Sequence, residues 1–155
     1  MSKFQKVRGM HEVPIEDSLI WSQTIDHLIK IVKSFSYREI RLPILEQTEL
    51  FRRSVGDETD IVNKEMFSFD SKSKKSISLR PEGTAGCMRA SIEQGLLDKG
   101  QQRLFYYGPM YRYERPQKGR NREFYQFSAE AYGNESVYTD FELIQITEKT
   151  NIPFA

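Results

Sequence analysis

FYYGPMYRYERPQKGRNREFYQFSAEAYG, residues 105–133, decides the fold of this chain. It reads as two long aromatic-rich strands joined by a short basic loop. Side chains alternate along a strand, so residues two apart share a side. On the second arm Arg122, Phe124, Gln126, Ser128, Glu130 and Tyr132 share one side. Glu123, Tyr125, Phe127, Ala129 and Ala131 share the other, which after the glutamate reads as a packed underside. On the first arm Arg112 and Glu114 lie on one side. A hairpin closing symmetrically about Lys118 sets Arg112 opposite Phe124 and Met110 opposite Gln126. One face then carries a guanidinium, an aromatic ring, an amide and a carboxylate in a row, the floor of a ligand site. Antiparallel sheets often turn a polar face to water, but rings interleaved with an amide and a carboxylate suit an enclosed surface better. The loop, residues 115–122, groups Arg115, Lys118, Arg120 and Arg122 around Gly119. Beside Arg112 it forms an anion funnel.

The rest of the chain fits a soluble protein with a packed core. Its 155 residues are 38% hydrophobic and 29% charged, enough for one domain. A net charge of +1 gives no global attraction to nucleic acid, so any such binding depends on local patches. Cys87 is the one cysteine, which excludes an internal disulfide, fits a reducing compartment and reads as a small buried thiol. No stretch approaches the roughly 18 apolar residues of a membrane helix. MSKFQKVRGMHEVP at the start lacks the apolar centre of a signal peptide. The expected location is the cytoplasm.

Outside the hairpin, Trp21, Ile25, Leu28, Ile29, Val32 and Phe35 recur at helical spacing and predict an amphipathic helix over 16–36. Residues 37–43 alternate as a strand that Pro43 stops. Thr48 is positioned to cap a short helix ending near Gly56, and 56–64 reads as a polar loop. Residues 66–70 and 76–79 form a second hairpin around the turn 71–75. A helix follows from Thr84 to about Gly95, and a last one runs from about Thr139 to Lys149. Helices with sequential antiparallel strands argue α+β, not a parallel βαβ sheet. Between strand and helix stands Arg80-Pro81-Glu82-Gly83-Thr84. Pro81 keeps the residue before it out of the helix and Thr84 can cap. Glu82 and Thr84 would offer acceptors to an ammonium group.

These residues carry a resemblance. Arg112-Tyr113-Glu114, the loop, Arg120 and Phe124 resemble motif 2 of the class II aminoacyl-tRNA synthetases, and YREIRLPILEQTELF at 37–51 resembles motif 1. With KVRGMHEV at 6–13, LRPEGTAG at 79–86 and GPMYRYERPQKGR at 108–120, the likeness is to the histidine–tRNA ligase family, from about Val7 to Thr147. It implies an antiparallel sheet flanked by helices, the N-terminal part of a class II catalytic core spanning residues 1–155. It also implies ATP-dependent activation of histidine to the adenylate and transfer to tRNA(His). By the family pattern Arg112 holds the α-phosphate as the catalytic cation, and Glu114 lies near the adenine amino edge. Arg120 reaches the terminal phosphates, Phe124 stacks on adenine and Mg²⁺ bridges phosphates. Glu82, Thr84 and Gln126 take the α-ammonium and carboxylate of histidine, and Glu130 accepts from its imidazole. Gln126 and Glu130 would sit roughly 13 Å apart along the strand. The motif 1 region implies a homodimer.

The pattern stops before motif 3 with its ATP-binding arginine, before the histidine-specific segment and before the anticodon-binding domain. Lys149–Ala155 does not continue a helix, since Pro153 breaks it. The expectation is a truncated form, inactive alone, with sheet edges left uncovered. Two alternatives remain. A non-catalytic histidine-binding paralogue, regulating the phosphoribosyltransferase of histidine biosynthesis, would have no need of Arg112, Glu114, Arg120 and Phe124. A general nucleic-acid module on the basic loop would bind RNA in a salt-sensitive way without ATP or histidine. His11 is expected to be structural and His27 exposed, and nothing pairs them as metal ligands.

Overall fold

A computed structural model describes residues 4–56, 59 and 64–150. Among them the chain is α+β, with four α-helices and six strands. They divide into two compact units. The first takes the N-terminal segment to Glu12, residues 41–90 and 107–127; the second takes 13–40, 91–106 and 128 onward. The two long strands, β5 (Gln102–Tyr111) and β6 (Glu123–Tyr132), contribute to both.

In the first unit β2 (Leu45–Gln47), β4 (Ser76–Leu79) and β3 (Ser68–Asp70) form an antiparallel sheet in that order. The β3–β4 hairpin turns at 71–75, as its polar run predicts, with Ser71 N–H donating to Lys75 O at 2.9 Å. The α2 helix (Thr48–Val55) ends at Gly56, whose φ of +98° suits glycine. Thr48 does not cap it. Its hydroxyl meets those of Ser76 and Ser78, 2.8 Å from each, and Ser78 meets Ser68 at 2.7 Å. A buried hydroxyl takes whichever partner is nearest, and here that is a strand. The expected loop over 56–64 falls mostly outside the described residues, as do the final five with Pro153.

Arg80 is 5% exposed at the centre of this unit. Its guanidinium donates to the carbonyls of Pro109 (2.9 Å), Leu42 (3.0 Å) and Pro43 (3.4 Å). Gly108 lies against it, and a Cβ there would stand 2.5 Å from Nη2. The RPEG turn is therefore fastened to β5 by a side chain, and Tyr111 N–H adds a bond to Arg80 O at 2.9 Å.

The tip half of the long hairpin also belongs to the first unit. Gln117 and Arg120 exchange backbone bonds of 3.2 and 2.9 Å around Lys118-Gly119, where Gly119 has φ +79°. Arg112 N–H donates to Arg122 O at 2.9 Å. Arg112 thus faces Arg122, not Phe124, because the first arm carries more residues between neck and tip than the second. The shift is even, so the assignment of sides survives. The underside does not pack as expected: Tyr107 and Phe127 stack at 6.0 Å, yet Tyr125 stays 48% exposed. Alternation marks the apolar side of a strand, not whether anything covers it.

In the second unit α1 (Ile15–Ser34) packs on α4 (Val137–Thr150). Of the predicted stripe Val32 is buried, Ile25, Leu28, Ile29 and Phe35 are half-buried and Trp21 alone is exposed, while Leu19, Ile20 and the 88% exposed Ile15, which lie outside the stripe, are uncovered. The strand predicted over 37–43 shortens to β1 (Arg38–Glu39), which pairs with β5 in parallel, Arg38 beside Leu104. Ile40 N–H adds one more bond to Phe105 O. Cys87 is buried and His27 exposed, as expected. No helix among the described residues is long and apolar enough to cross a membrane.

Arg103 grips Glu142 through Nε (2.8 Å) and Nη2 (3.2 Å), and Tyr37 Oη donates to the same carboxylate at 3.2 Å. Burial, and after it the charge of Glu142, push the Tyr37 phenol from its ordinary 10.0 up to about 12. The hydrogen bonds from Arg103 hold the Glu142 carboxyl below its ordinary 4.5. A raised phenol stabilises the fold fully below pH 10 and ceases to do so as pH rises through 12. The lowered carboxyl acts oppositely: its contribution is complete above about pH 4.5 and fades as the pH falls further. Urea unfolding between pH 10 and 12 should show a stability loss of at most about 3 kcal/mol. Tyr37→Phe should flatten most of that slope, with a lesser part left from Tyr111, which burial also raises. An unchanged slope in Tyr37→Phe would remove Tyr37 as its source.

Candidate functional site

Pro81 closes the helical route for Arg80, and α3 (Thr84–Glu93) begins only after Gly83. The helix is capped by Glu82, not Thr84. Its carboxylate accepts from Thr84 N–H at 2.5 Å and Ala85 N–H at 3.1 Å, satisfying donors at a helix start that favours negative charge. Thr84 is the first helical residue and is exposed. The turn also aims Arg112, whose Nε donates to Pro81 O at 3.0 Å. A guanidinium fixed at Nε keeps a defined plane for its terminal nitrogens, the geometry that suits a phosphate or carboxylate.

Within the first unit Arg112, Glu114, Arg120 and Phe124 line one cleft of about 440 Å³, together with Glu65, Gly119 and Asn121. All four residues expected to hold ATP are thus brought together. The Arg112 guanidinium carbon lies 5.0 Å from the centre of the Phe124 ring, within cation–π range. Across the cleft Arg120 Nη1 is 3.5 Å from Glu114 Oε2, with Glu114 mostly buried and Arg120 mostly exposed. The exposed partner makes this pair weak, so an anion can draw Arg120 away from it. The cleft therefore offers an aromatic face, two cations suited to phosphate, and carboxylates that can accept from amines or hydroxyls.

The residues expected to hold histidine do not line that cleft. In the first unit Glu82 binds the α3 start, and Gln126 Oε1 is buried with no hydrogen-bond partner among the described residues. A buried acceptor left without a donor is costly and marks a place where a ligand donor fits. In the second unit Glu130 accepts from Tyr106 Oη at 3.0 Å, and Tyr106 is buried.

Sequence reading missed Glu65 and Asn121 as cleft residues. Glu65 is carried by a segment far away in the chain, which Tyr113 N–H ties to the hairpin neck through Glu65 O at 2.6 Å. Arg122 was grouped with the phosphate-directed cations, yet it does not line the cleft. Its guanidinium carbon sits 3.8 Å from the centre of the Tyr113 ring.

Three comparisons bear on these residues. The family model described as histidyl-tRNA synthetase matches residues 9–151. The histidine–tRNA ligase of Blochmanniella pennsylvanica is 52% identical over 145 residues, 94% of this chain and 33% of that protein. The histidine–tRNA ligase of Halorhodospira halophila is 50% identical, covering 94% of this chain and 34% of that protein. The chain thus spans about a third of the length of the curated relatives it matches. Among solved structures, apo S. aureus histidyl-tRNA synthetase superposes with a TM-score of 0.79 at 34% identity, over 95% of this chain and 34% of that one. A Bacillus halodurans protein described as an ATP phosphoribosyltransferase regulatory subunit/histidyl-tRNA synthetase shares the fold, with a TM-score of 0.80 at 24% identity. It is covered to 38%, against 97% of this chain.

Proposed function

Since the chain belongs to the histidyl-tRNA synthetase family, we propose that it is the ATP-handling part of a histidine–tRNA ligase. The observation that carries this reading is the convergence of Arg112, Glu114, Arg120 and Phe124 on one cleft. In the proposed reaction a histidine carboxylate oxygen attacks the α-phosphorus of ATP. The new P–O bond gives histidyl-adenylate, and the bond to pyrophosphate breaks. No protein nucleophile is needed, so positioning and charge neutralisation do the work. Arg112 holds the α-phosphate, Phe124 stacks on adenine with Glu114 at the base edge, and Arg120 leaves Glu114 for the terminal phosphates. Glu82, Thr84, Gln126 and Glu130 serve histidine, and the orphaned Gln126 Oε1 supports that role by awaiting a donor. Mg²⁺ would accompany the nucleotide, and the second cleft carboxylate, Glu65, fits contact with a phosphate-bound cation. The bound ion neutralises phosphate charge.

The wider proposal includes tRNA(His), action in the cytoplasm and a second copy of the chain. The uncovered Ile15, Leu19, Ile20 and Trp21 on α1 support the last of these. The regulatory alternative is less well supported, because a histidine sensor needs no cleft of this kind. Calorimetric titration separates the two. With ATP–Mg²⁺ and histidine, binding of both is expected, with lysine inert. Histidine binding without ATP binding would favour the regulator, and neither ligand binding to a cooperatively folded chain would sink both readings.

A further inference from the structure

Arg122 is the best connected of the basic residues in the hairpin loop, and it does not itself line the cleft. Its backbone N–H donates to Gly9 O at 2.8 Å, and Glu123 N–H shares that carbonyl at 3.2 Å. Its own carbonyl accepts from Arg112 N–H at 2.9 Å. Its side chain lies over the Tyr113 ring, and Nε donates to Glu114 O at 3.3 Å. Nη1 reaches Arg8 O at 3.5 Å. Arg122 thus holds the backbones of Arg112 and Glu114, two residues of the cleft, and precedes a third, Phe124, by two positions on the same side. Behind it the N-terminal segment turns at Met10 N–H to Val7 O (3.0 Å), with Gly9 at φ +83°. A Cβ on Gly9 would fall 2.9 Å from Arg122 Cγ. The glycine is required twice, by its dihedral and by the side chain lying on it.

We propose that Arg122, clamped by the Gly9 carbonyl, is a positioning residue that sets the geometry of the cleft and not a ligand for phosphate. The proposal rests on the cleft being a nucleotide site, but it has a signature of its own. Lysine at 122 keeps the positive charge and loses the planar fork that spans Tyr113, Glu114 and Arg8. If Arg122 were a phosphate ligand, Arg122→Lys would keep more affinity for ATP than Arg122→Met, and exchange at the clamped amides would stay at the parent rate. If it positions, both variants weaken ATP binding alike, by about tenfold.

The test uses the full 155-residue chain and two readouts, calorimetric affinity for ATP–Mg²⁺ and amide hydrogen exchange at Arg112, Arg122 and Glu123. Equal loss of affinity in Arg122→Lys and Arg122→Met, with faster exchange at those amides and unchanged protection in the β3–β4 hairpin, is the expected result. Gly9→Ala, which touches no cleft residue, should reproduce both effects and stands in should the Arg122 variants fold poorly. A lysine variant that binds like the parent overturns the proposal, as does unchanged affinity in all three. Should the parent chain itself not bind ATP, the nucleotide reading fails. Exchange then judges the clamp alone: unchanged rates at the three amides overturn it, and faster rates uphold it.

Discussion

Arg80→Met should lower the unfolding free energy by about 3 to 5 kcal/mol, the largest stability effect expected of any single change here. Methionine replaces most of the stem but removes every donor. The carbonyls of Pro109, Leu42 and Pro43 then lose their shared partner inside a region where Arg80 itself is 5% exposed. Leu42 and Pro109 are half-buried and Pro43 is exposed, so the cost falls on the first two carbonyls, about 1 to 3 kcal/mol each, and is reduced where the neighbours relax. Gly108→Ala should act on the same contact from the other side, since its Cβ would meet Nη2 at 2.5 Å. Two changes at one contact should not add: in the Arg80→Met background the extra cost of Gly108→Ala should shrink. Denaturant titration of the two single variants and the double measures this. A loss under about 1 kcal/mol for Arg80→Met would show that water reaches those carbonyls.

The second large effect falls on binding. Arg112→Ala should raise the ATP dissociation constant by about 30- to 150-fold, from about 2 to 3 kcal/mol of lost interaction. Two contributions act together. One is the charged hydrogen bond that the proposed function gives Arg112 to phosphate; the other is the cation beside the Phe124 ring, whose carbon stands 5.0 Å from the ring centre. Arg112→Lys should recover only a small part, because an ammonium cannot hold Pro81 O and a phosphate in one plane. Calorimetry with ATP–Mg²⁺ checks both variants, and a change below about fivefold would place the phosphate elsewhere.

Much of the fold was legible because its signals are local. Alternation along 105–132 fixed the two strands and their sides. Six of the seven cleft residues stand within thirteen positions of one another, from Arg112 to Phe124. What failed depended on distant partners. Thr48 looked like a cap because threonine before an apolar run often is one, but its hydroxyl found Ser76 and Ser78. Arg122 looked like part of an anion funnel, since charge is visible in a sequence while a tyrosine ring beneath it is not. Arg80 stood out in its turn, but its burial did not: its partners are backbone carbonyls, and any residue supplies those. Glu65 joined the cleft through a backbone bond to Tyr113, which no side-chain pattern encodes. The hairpin register moved by two residues because the tip turns at Lys118-Gly119 while the first arm holds extra length.

The row of hydroxyls Ser76, Thr48, Ser78 and Ser68 has a further property. Each hydroxyl owns one proton and can give it in one direction only. The middle pair, Thr48 and Ser78, is buried, and the end pair is exposed. With contacts of 2.8, 2.8 and 2.7 Å, a fully bonded row must point its protons all one way. One wet end then donates to solvent while the other accepts from it. Built from neutral groups, the row behaves as a small wire with a sense. Reversing that sense requires every hydroxyl in it to rotate together.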